Sequence, residues 1–467
     1  MYCIADLAGT GKSTIAYTMA EEWSAEQCFI FSFSNESTRK AQALCISLAK
    51  QIIGACYGLS WDKHWAKLSS TLSSPLTQSV ENLWNKLVYE PLGICGVHER
   101  HVVVVDALDE CGQETRIPLL KCLLDACIST SQPQIRLLLT TRKEDDIRGI
   151  LEMDAFHHAI LSRSLRDSEM SRADIAHYID YRLKAAKVVG LEMAQRKQLV
   201  ERCNGLFMFA SLACDLLQSE CAGDQSVRLH DMLEEFTSLD ALYHRTLSRV
   251  VNNSEYIQAR LMDTLRVIMV AREPLSIGAI AAFLSVDINT VNTIVKKLGS
   301  ILGSGTVDEA VYILHATLKE FFLRESWIER KMDPTTGEED AKEMQNRYYI
   351  NKEEAERAML KGCLSNVMAH GLVFNICSLE TSFLMNSEVI NMDDRIRHCI
   401  TNALHYSCLN WTSHLELIAG DAEVMGWLEG FMDNRFLSWL EVLSVTKCVR
   451  FASKMLAVLI EWMRVSP

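Results

Sequence analysis

Four consecutive valines, Val102–Val105, run from His101 into an acid, Asp106. A strand with one wet face alternates apolar and polar residues, whereas an unbroken apolar run of this kind is covered on both faces. Such strands belong to parallel sheets with helices on either side. Two further runs read the same way, Cys28–Phe33 and Ile135–Thr140. Between them, Val80, Leu83, Trp84, Leu87 and Val88 follow i, i+3, i+4, i+7, i+8 spacing, which predicts an amphipathic helix. Strands alternating with helices predict βαβ units in an α/β domain.

Past Arg163 the strand signals fade. Ile175, Ile179 and Leu183 mark one helix, and the stretch from Leu206 to Leu217 marks another, apolar nearly throughout. Only 7 prolines and 21 glycines interrupt 467 residues, fewer than average, which fits a largely helical chain. Ser276, after Glu273-Pro-Leu, is placed to N-cap a helix over Ile277–Leu284. A second helix follows with Val291, Ile294, Val295, Leu298 and Leu302 on one side, then a short strand at Val311–Leu314. Helix, helix, strand resembles a winged-helix module. Asp333–Asp340 is polar and rich in turn residues and reads as a linker; the remainder reads as helical. No repeat of fixed period appears.

Two short stretches carry chemistry. In Gly9-Thr-Gly11-Lys12-Ser13, small residues let backbone N–H groups wrap around phosphates, and a helix opening at Lys12 turns its positive end toward them. Lys12 would reach the β- and γ-phosphates, and the Ser13 hydroxyl would coordinate Mg²⁺. Ala8, Thr10 and Thr14 complete the cradle. The following helix has Ile15, Ala16, Met19, Ala20 and Trp23 on one face and is expected to dock on a sheet. The short Gly-Lys-Ser/Thr signal alone arises by chance about once in four chains of this length. The acid at the end of the valine strand adds the specificity, because Asp106 is placed to hold the Mg²⁺. Asp109 and Glu110 are candidates to orient or deprotonate an attacking water. Arg142, closing the next strand, is a candidate γ-phosphate sensor.

Asp106-Ala-Leu-Asp-Glu110 with Leu-Leu-Leu-Thr-Thr-Arg142 resembles the NACHT family of signal-transduction NTPases (the STAND class). Gly205-Leu-Phe-Met-Phe-Ala210, Leu314-His-Ala-Thr-Leu-Lys-Glu-Phe-Phe322 and Asn402-Ala-Leu-His-Tyr-Ser-Cys408 with Trp411 extend it over nearly the whole chain, closest to the large fungal NACHT proteins. The resemblance implies an NTPase domain over 1–163, a helical domain over 164–252, a winged helix over 253–332 and a second helical domain over 333–467. It also implies a switch that is ADP-bound when closed and ATP-bound when homo-oligomeric, with His315 contacting the β-phosphate of ADP. Asp6 departs from the pattern, standing where the loop motif has its first glycine. Phe207 stands where relatives in the wider superfamily put a proline near the adenine. The chain opens only a few residues before the loop, so either a truncated gene start or a reduced relative is expected.

The remaining features narrow the class. A net charge of −13 argues against a nucleic-acid partner, which would need clustered Lys and Arg. The sixteen cysteines show no C-x-x-C pair and read as reduced thiols of a cytoplasmic protein. No apolar stretch reaches the ~18 residues of a membrane span. His398, Cys399, His405 and Cys408 lack the paired short spacings of a zinc site and read as core packing. The expected activity is a Mg²⁺-dependent ATP/ADP switch with slow hydrolysis. A degenerate scaffold without turnover is the alternative; a small-molecule or nucleic-acid kinase lacks visible lid arginines.

Overall fold

The computed structural model describes residues 1–23, 28–34, 38–57, 79–95, 101–129, 135–166, 168–186, 192–220, 236–251, 254–303, 306, 308–332, 339–381, 383–386 and 388–465. They form two compact units, Met1–Phe236 and Thr237–Pro467.

The first unit is built on one parallel sheet of β1 (Tyr2–Ala5), β2 (Cys28–Ser32), β3 (His101–Asp106), β4 (Ile135–Thr141) and β5 (Leu161–Arg163), in the order β2-β3-β4-β1-β5. The valine run is the second strand in from the β2 edge. Val103 and Val105 are fully buried and Val104 nearly so, as a strand covered on both faces requires. Leu83, Leu87 and Val88 are fully buried, and Val80 and Trp84 nearly so, in the same core as the sheet's apolar side chains. Their helix, Val80–Trp84, passes through a π-helical turn, Asn85–Tyr89, before resuming at Glu90–Cys95. On the edge strand, Ile30 donates its N–H to the Gln51 side chain at 3.0 Å and accepts from it at 2.8 Å, so a side-chain amide stands in for a neighbouring strand.

The helix after the loop, α1 (Lys12–Glu21), packs less deeply than its apolar stripe predicts. Ala16 is buried and Ile15 half-buried, but Met19 and Trp23 are each 39% exposed. Its contact with the sheet runs through its first turns. Three helices follow β5: Glu169–Ala185, with Ile175, Ile179 and Leu183 buried, Met193–Cys203, and Phe207–Glu220.

The second unit is mainly helical. Ser276 N-caps Ile277–Leu284, accepting from the Ala279 N–H at 3.2 Å. That helix, the helix Ile288–Lys297 and the strands β6 (Leu275–Ser276), β7 (Leu302–Gly303) and β8 (Ala310–Ile313) form one module, with strand order β6-β8-β7. Of the stretch Asp333–Asp340, residues 333–338 lie outside the described residues. Its flanks, β9 (Ser326–Met332) and β10 (Glu339–Gln345), pair antiparallel, and Glu339 and Asp340 lie within the second strand. The stretch therefore connects two paired strands, and the chain after it begins with a strand. Further on, the core is aromatic, with Trp411, Phe431 and Trp439 in mutual contact. A buried ion network holds the helices there. Glu356 accepts both guanidinium nitrogens of Arg272, at 3.0 and 2.9 Å, and contacts His414 at 2.5 Å. A buried charge with this many partners is satisfied.

Candidate functional site

The site sits at the carboxyl ends of the parallel strands, where open α/β sheets bind ligands. Strand register sets it up: Ser32 lies level with Asp106, Ile4 with Thr140 and Ala5 with Thr141. The chain leaving β1 enters the glycine loop. Gly9 has φ 89° and Gly11 φ 91°, both in the left-handed region that glycine enters without strain. The turn delivers Lys12 as the first residue of α1. Gly11 offers no capping side chain, so the opening N–H groups of the helix are left to the loop's concave side. Thr10 is buried and its hydroxyl donates to Leu7 O at 3.1 Å, pinning the loop from within. Ala8 is half-buried, and Ser13 and Thr14 are exposed on the first helical turn.

Lys12 is 9% exposed. Its Nζ donates to Asp6 O at 2.8 Å and Leu7 O at 2.6 Å. An ammonium has three donors, so one direction remains for an incoming acceptor. Burial pulls its pKa below the ordinary lysine range, against the carboxylates of Asp109 and Asp6, which favour the charged form.

Asp106 is 1% exposed and gathers three hydroxyls. Ser13 Oγ donates to Oδ1 at 2.9 Å, Thr140 Oγ1 to Oδ1 at 2.6 Å, and Ser32 Oγ to Oδ2 at 2.9 Å. The phosphate loop and the acid-tipped strand, ninety-three positions apart, thus meet at one point. Ser13 and Asp106 offer oxygen ligands, the donor type a hard cation such as Mg²⁺ takes.

The next two acids are held by arginines. Asp109 Oδ2 lies 3.1 Å from Arg142 Nε, and Oδ1 accepts the Arg142 backbone N–H at 3.0 Å. Two candidate residues that the sequence treats separately therefore grip each other. Arg116 adds a bond to the Asp109 carbonyl at 2.7 Å. Glu110 Oε2 accepts from Arg39 at 3.1 Å. Burial pushes the Glu110 carboxyl above the usual range, and Arg39 opposes the shift.

Asp6 does not crowd the phosphates with an unpaired charge. It is fully buried; Oδ1 accepts Leu7 N–H at 2.7 Å, and Oδ2 accepts Ser164 Oγ, Leu165 N–H and Arg166 N–H at 2.8, 2.6 and 2.8 Å. Burial raises its pKa, but these hydrogen bonds, the Arg166 N–H foremost, outweigh that and hold it below the usual carboxylate value. On the other side of the loop, Met208 N–H donates to Gly9 O at 3.2 Å, and a Cβ on Gly11 would sit 3.6 Å from Phe207 Cδ2. Sequence reading missed Ser32, Arg39 and Ser164. Ser32 and Ser164 are ordinary polar residues at or just past a strand end and Arg39 just precedes the helix Ala41–Tyr57, and only the tertiary fold brings them in.

In the second unit, His315 N-caps the helix Ala316–Phe322. Its Nδ1 accepts Thr317 N–H at 3.3 Å and lies 2.6 Å from Thr317 Oγ1. His398 Nδ1 lies on the Asp394 carbonyl at 3.0 Å, and Cys408 is fully buried. Among the described residues no group of three His, Cys, Asp or Glu is placed to share a metal, and no helix is long and apolar enough to cross a membrane.

Residues 1–142, which hold the loop, Asp106 and Arg142, match the family model described as Nephrocystin 3, N-terminal. No curated protein matches the chain. Among solved structures, a Walker-type ATPase of Pyrococcus abyssi is 14% identical, with TM-score 0.35, over 69% of this chain and 90% of its own. A signal transduction ATPase with numerous domains (STAND) and a tetratricopeptide repeat sensor, from Pyrococcus horikoshii, is 12% identical, with TM-score 0.42, over 98% of this chain and 62% of its own. A RuvB variant of Thermotoga maritima is 13% identical, with TM-score 0.27, over 66% and 83%. Likenesses this loose leave ligand and activity to the site's own geometry.

Proposed function

We propose that the N-terminal unit is a P-loop NTPase domain of the STAND class, and that the chain binds ATP and ADP with Mg²⁺ and uses nucleotide state as a switch, hydrolysing ATP slowly. The observation that carries this reading is the 2.9 Å hydrogen bond from Ser13 Oγ to Asp106 Oδ1, which joins the phosphate loop to the acid at the end of β3. Lys12 and the N–H groups from Ala8 to Thr14 hold the phosphates, and Ser13 and Asp106 hold the ion. Bound there, Mg²⁺ would neutralise phosphate charge. Glu110 is the general base, Asp109 positions Arg142, and Arg142 reads the γ-phosphate. Asp106→Asn should remove the Mg²⁺ dependence of ATP affinity while leaving Mg²⁺-free binding in place. Calorimetry with and without the ion decides it, and an unchanged Mg²⁺ effect contradicts the assignment.

The switch reading divides the chain at 163, 252 and 332, with the β6-β8-β7 module as the winged helix. A closed, ADP-bound form and an ATP-bound homo-oligomer are its two states, in the cytoplasm and without nucleic acid. His315 belongs to the closed state, touching the β-phosphate of ADP, and such a state-specific contact is what lets a nucleotide shift an equilibrium. Loss of one charge-assisted hydrogen bond is worth about 10- to 150-fold. His315→Ala should therefore weaken ADP binding by that factor and promote self-association. ADP affinity equal to the wild type would remove His315 from the switch. The departure at Asp6 does not favour the scaffold alternative, because that carboxylate is paired with Ser164, Leu165 and Arg166.

A further inference from the structure

Asp6 stands where the loop motif calls for glycine, and the structure gives it more partners than a tolerated substitution needs. Its main chain is engaged at both ends: the N–H donates to Thr141 O at 3.1 Å, and the carbonyl accepts Lys12 Nζ at 2.8 Å. Its buried carboxylate accepts three donors from the consecutive residues Ser164, Leu165 and Arg166. These residues follow β5 and lead into the helices beyond the sheet.

From there the contacts return to the loop. Arg166 Nε donates to Asn204 O at 3.2 Å. Gly205 is pressed against the same residue: a Cβ on it would lie 2.7 Å from Arg166 O and 2.8 Å from Arg166 Cα, and its φ is +77°. No side chain fits there, so the chain at 204–205 is fixed by where Arg166 lies. Two residues on, Phe207 faces Gly11 and Met208 N–H reaches Gly9 O at 3.2 Å. The circuit runs from the start of the loop through 164–166 and 204–208 back to the two loop glycines.

We propose that Asp6 is a positioning residue that ties the phosphate loop to residues 164–166 and, through them, 204–208, so that the setting of Phe207 and Met208 over Gly9 and Gly11 depends on its carboxylate. The inference rests on the nucleotide-binding reading for its consequence but not for its geometry. Glycine at position 6 leaves four donors without their acceptor, three of them on the half-buried residues 164–166. Asparagine keeps one acceptor oxygen but turns an NH₂ toward N–H groups. Either change loosens 164–166 first and then, through Arg166 and Gly205, the start of the helix Phe207–Glu220.

Hydrogen exchange followed by mass spectrometry on the full chain tests this in two arms. Without nucleotide, Asp6→Asn should exchange faster than the wild type at Leu165 and Arg166, and also at 206–210, by about tenfold or more, the effect of one lost charge-assisted hydrogen bond on a local opening. Unchanged exchange at 206–210 would overturn the proposal whether or not the chain binds nucleotide. With Mg-ADP, the wild type should gain protection at both the loop and 204–210, whereas Asp6→Gly should gain it at the loop alone and bind about tenfold more weakly. Equal protection at 204–210 in both proteins would overturn the coupling. Absence of any ADP effect in the wild type counts against the nucleotide reading and leaves the first arm to decide. Ser164→Ala removes a single donor and should show the same pattern more weakly, which covers the case that an Asp6 variant fails to fold.

Discussion

Lys12→Ala is expected to abolish measurable binding of Mg-ATP and Mg-ADP in the micromolar range. The ammonium is the one cation carried by the loop itself, it is 9% exposed, and its position is set by two loop carbonyls. A hydrogen bond from a charged donor contributes about 1.5–3 kcal/mol, or about 10- to 150-fold in affinity, and the ammonium adds its charge attraction to the phosphates beyond the one it bonds. Lys12→Arg should not rescue binding, because a planar guanidinium cannot replace a compact ammonium on that pair of carbonyls. Thermal unfolding without nucleotide separates this loss from a looser fold: the variant should unfold near the wild-type temperature yet show no nucleotide-induced rise. Wild-type affinity in Lys12→Ala would remove the loop from the binding site.

The second large effect falls on turnover. Glu110→Gln should lower single-turnover hydrolysis by about 10²–10⁴, the usual cost of a lost general base, with nucleotide affinity nearly unchanged. Burial already raises the Glu110 carboxyl, and a base works only when deprotonated. The wild-type rate should therefore climb with pH through an apparent pKa above the ~4.3 of a free glutamate. Because the guanidinium of Arg39 favours the charged form, Arg39→Ala should move that climb to higher pH. Asp109→Asn acts differently, since the amide keeps one oxygen for the Arg142 backbone N–H but loses the ion pair with its guanidinium. Its signature should be altered discrimination between ATP and ADP. A Glu110→Gln rate equal to that of the wild type would remove Glu110 as the general base.

What was legible from the residues follows from how local each signal is. The valine strand, the helix at 80–88 and the Ser276 cap depend on neighbours within one turn or one strand, and all three lie where the pattern puts them. The strand β1 is four residues long, Tyr2–Ala5, and owes its form to pairing with β4 and β5, so no pattern within it announces it. The hairpin β9–β10 is charged along much of its length, against strand propensity, and exists through cross-strand pairing. The same distinction runs through the site. Lys12, Ser13 and Asp106 follow from motif chemistry, but Ser32, Thr140, Arg39 and Ser164 join them only through the tertiary fold. The role of Asp6 is the clearest case. As a bare sequence it is a repulsive charge beside phosphates; with its three donors in place it is a fastening point for the loop.

The most direct measurement of the account is a calorimetric titration of the wild-type chain with ATP and with ADP, each with and without Mg²⁺. Saturable binding of one nucleotide per chain is expected, strengthened by the ion and absent in Lys12→Ala. Titrations that release no saturable heat with either nucleotide, or that look the same in wild type and Lys12→Ala, would contradict it.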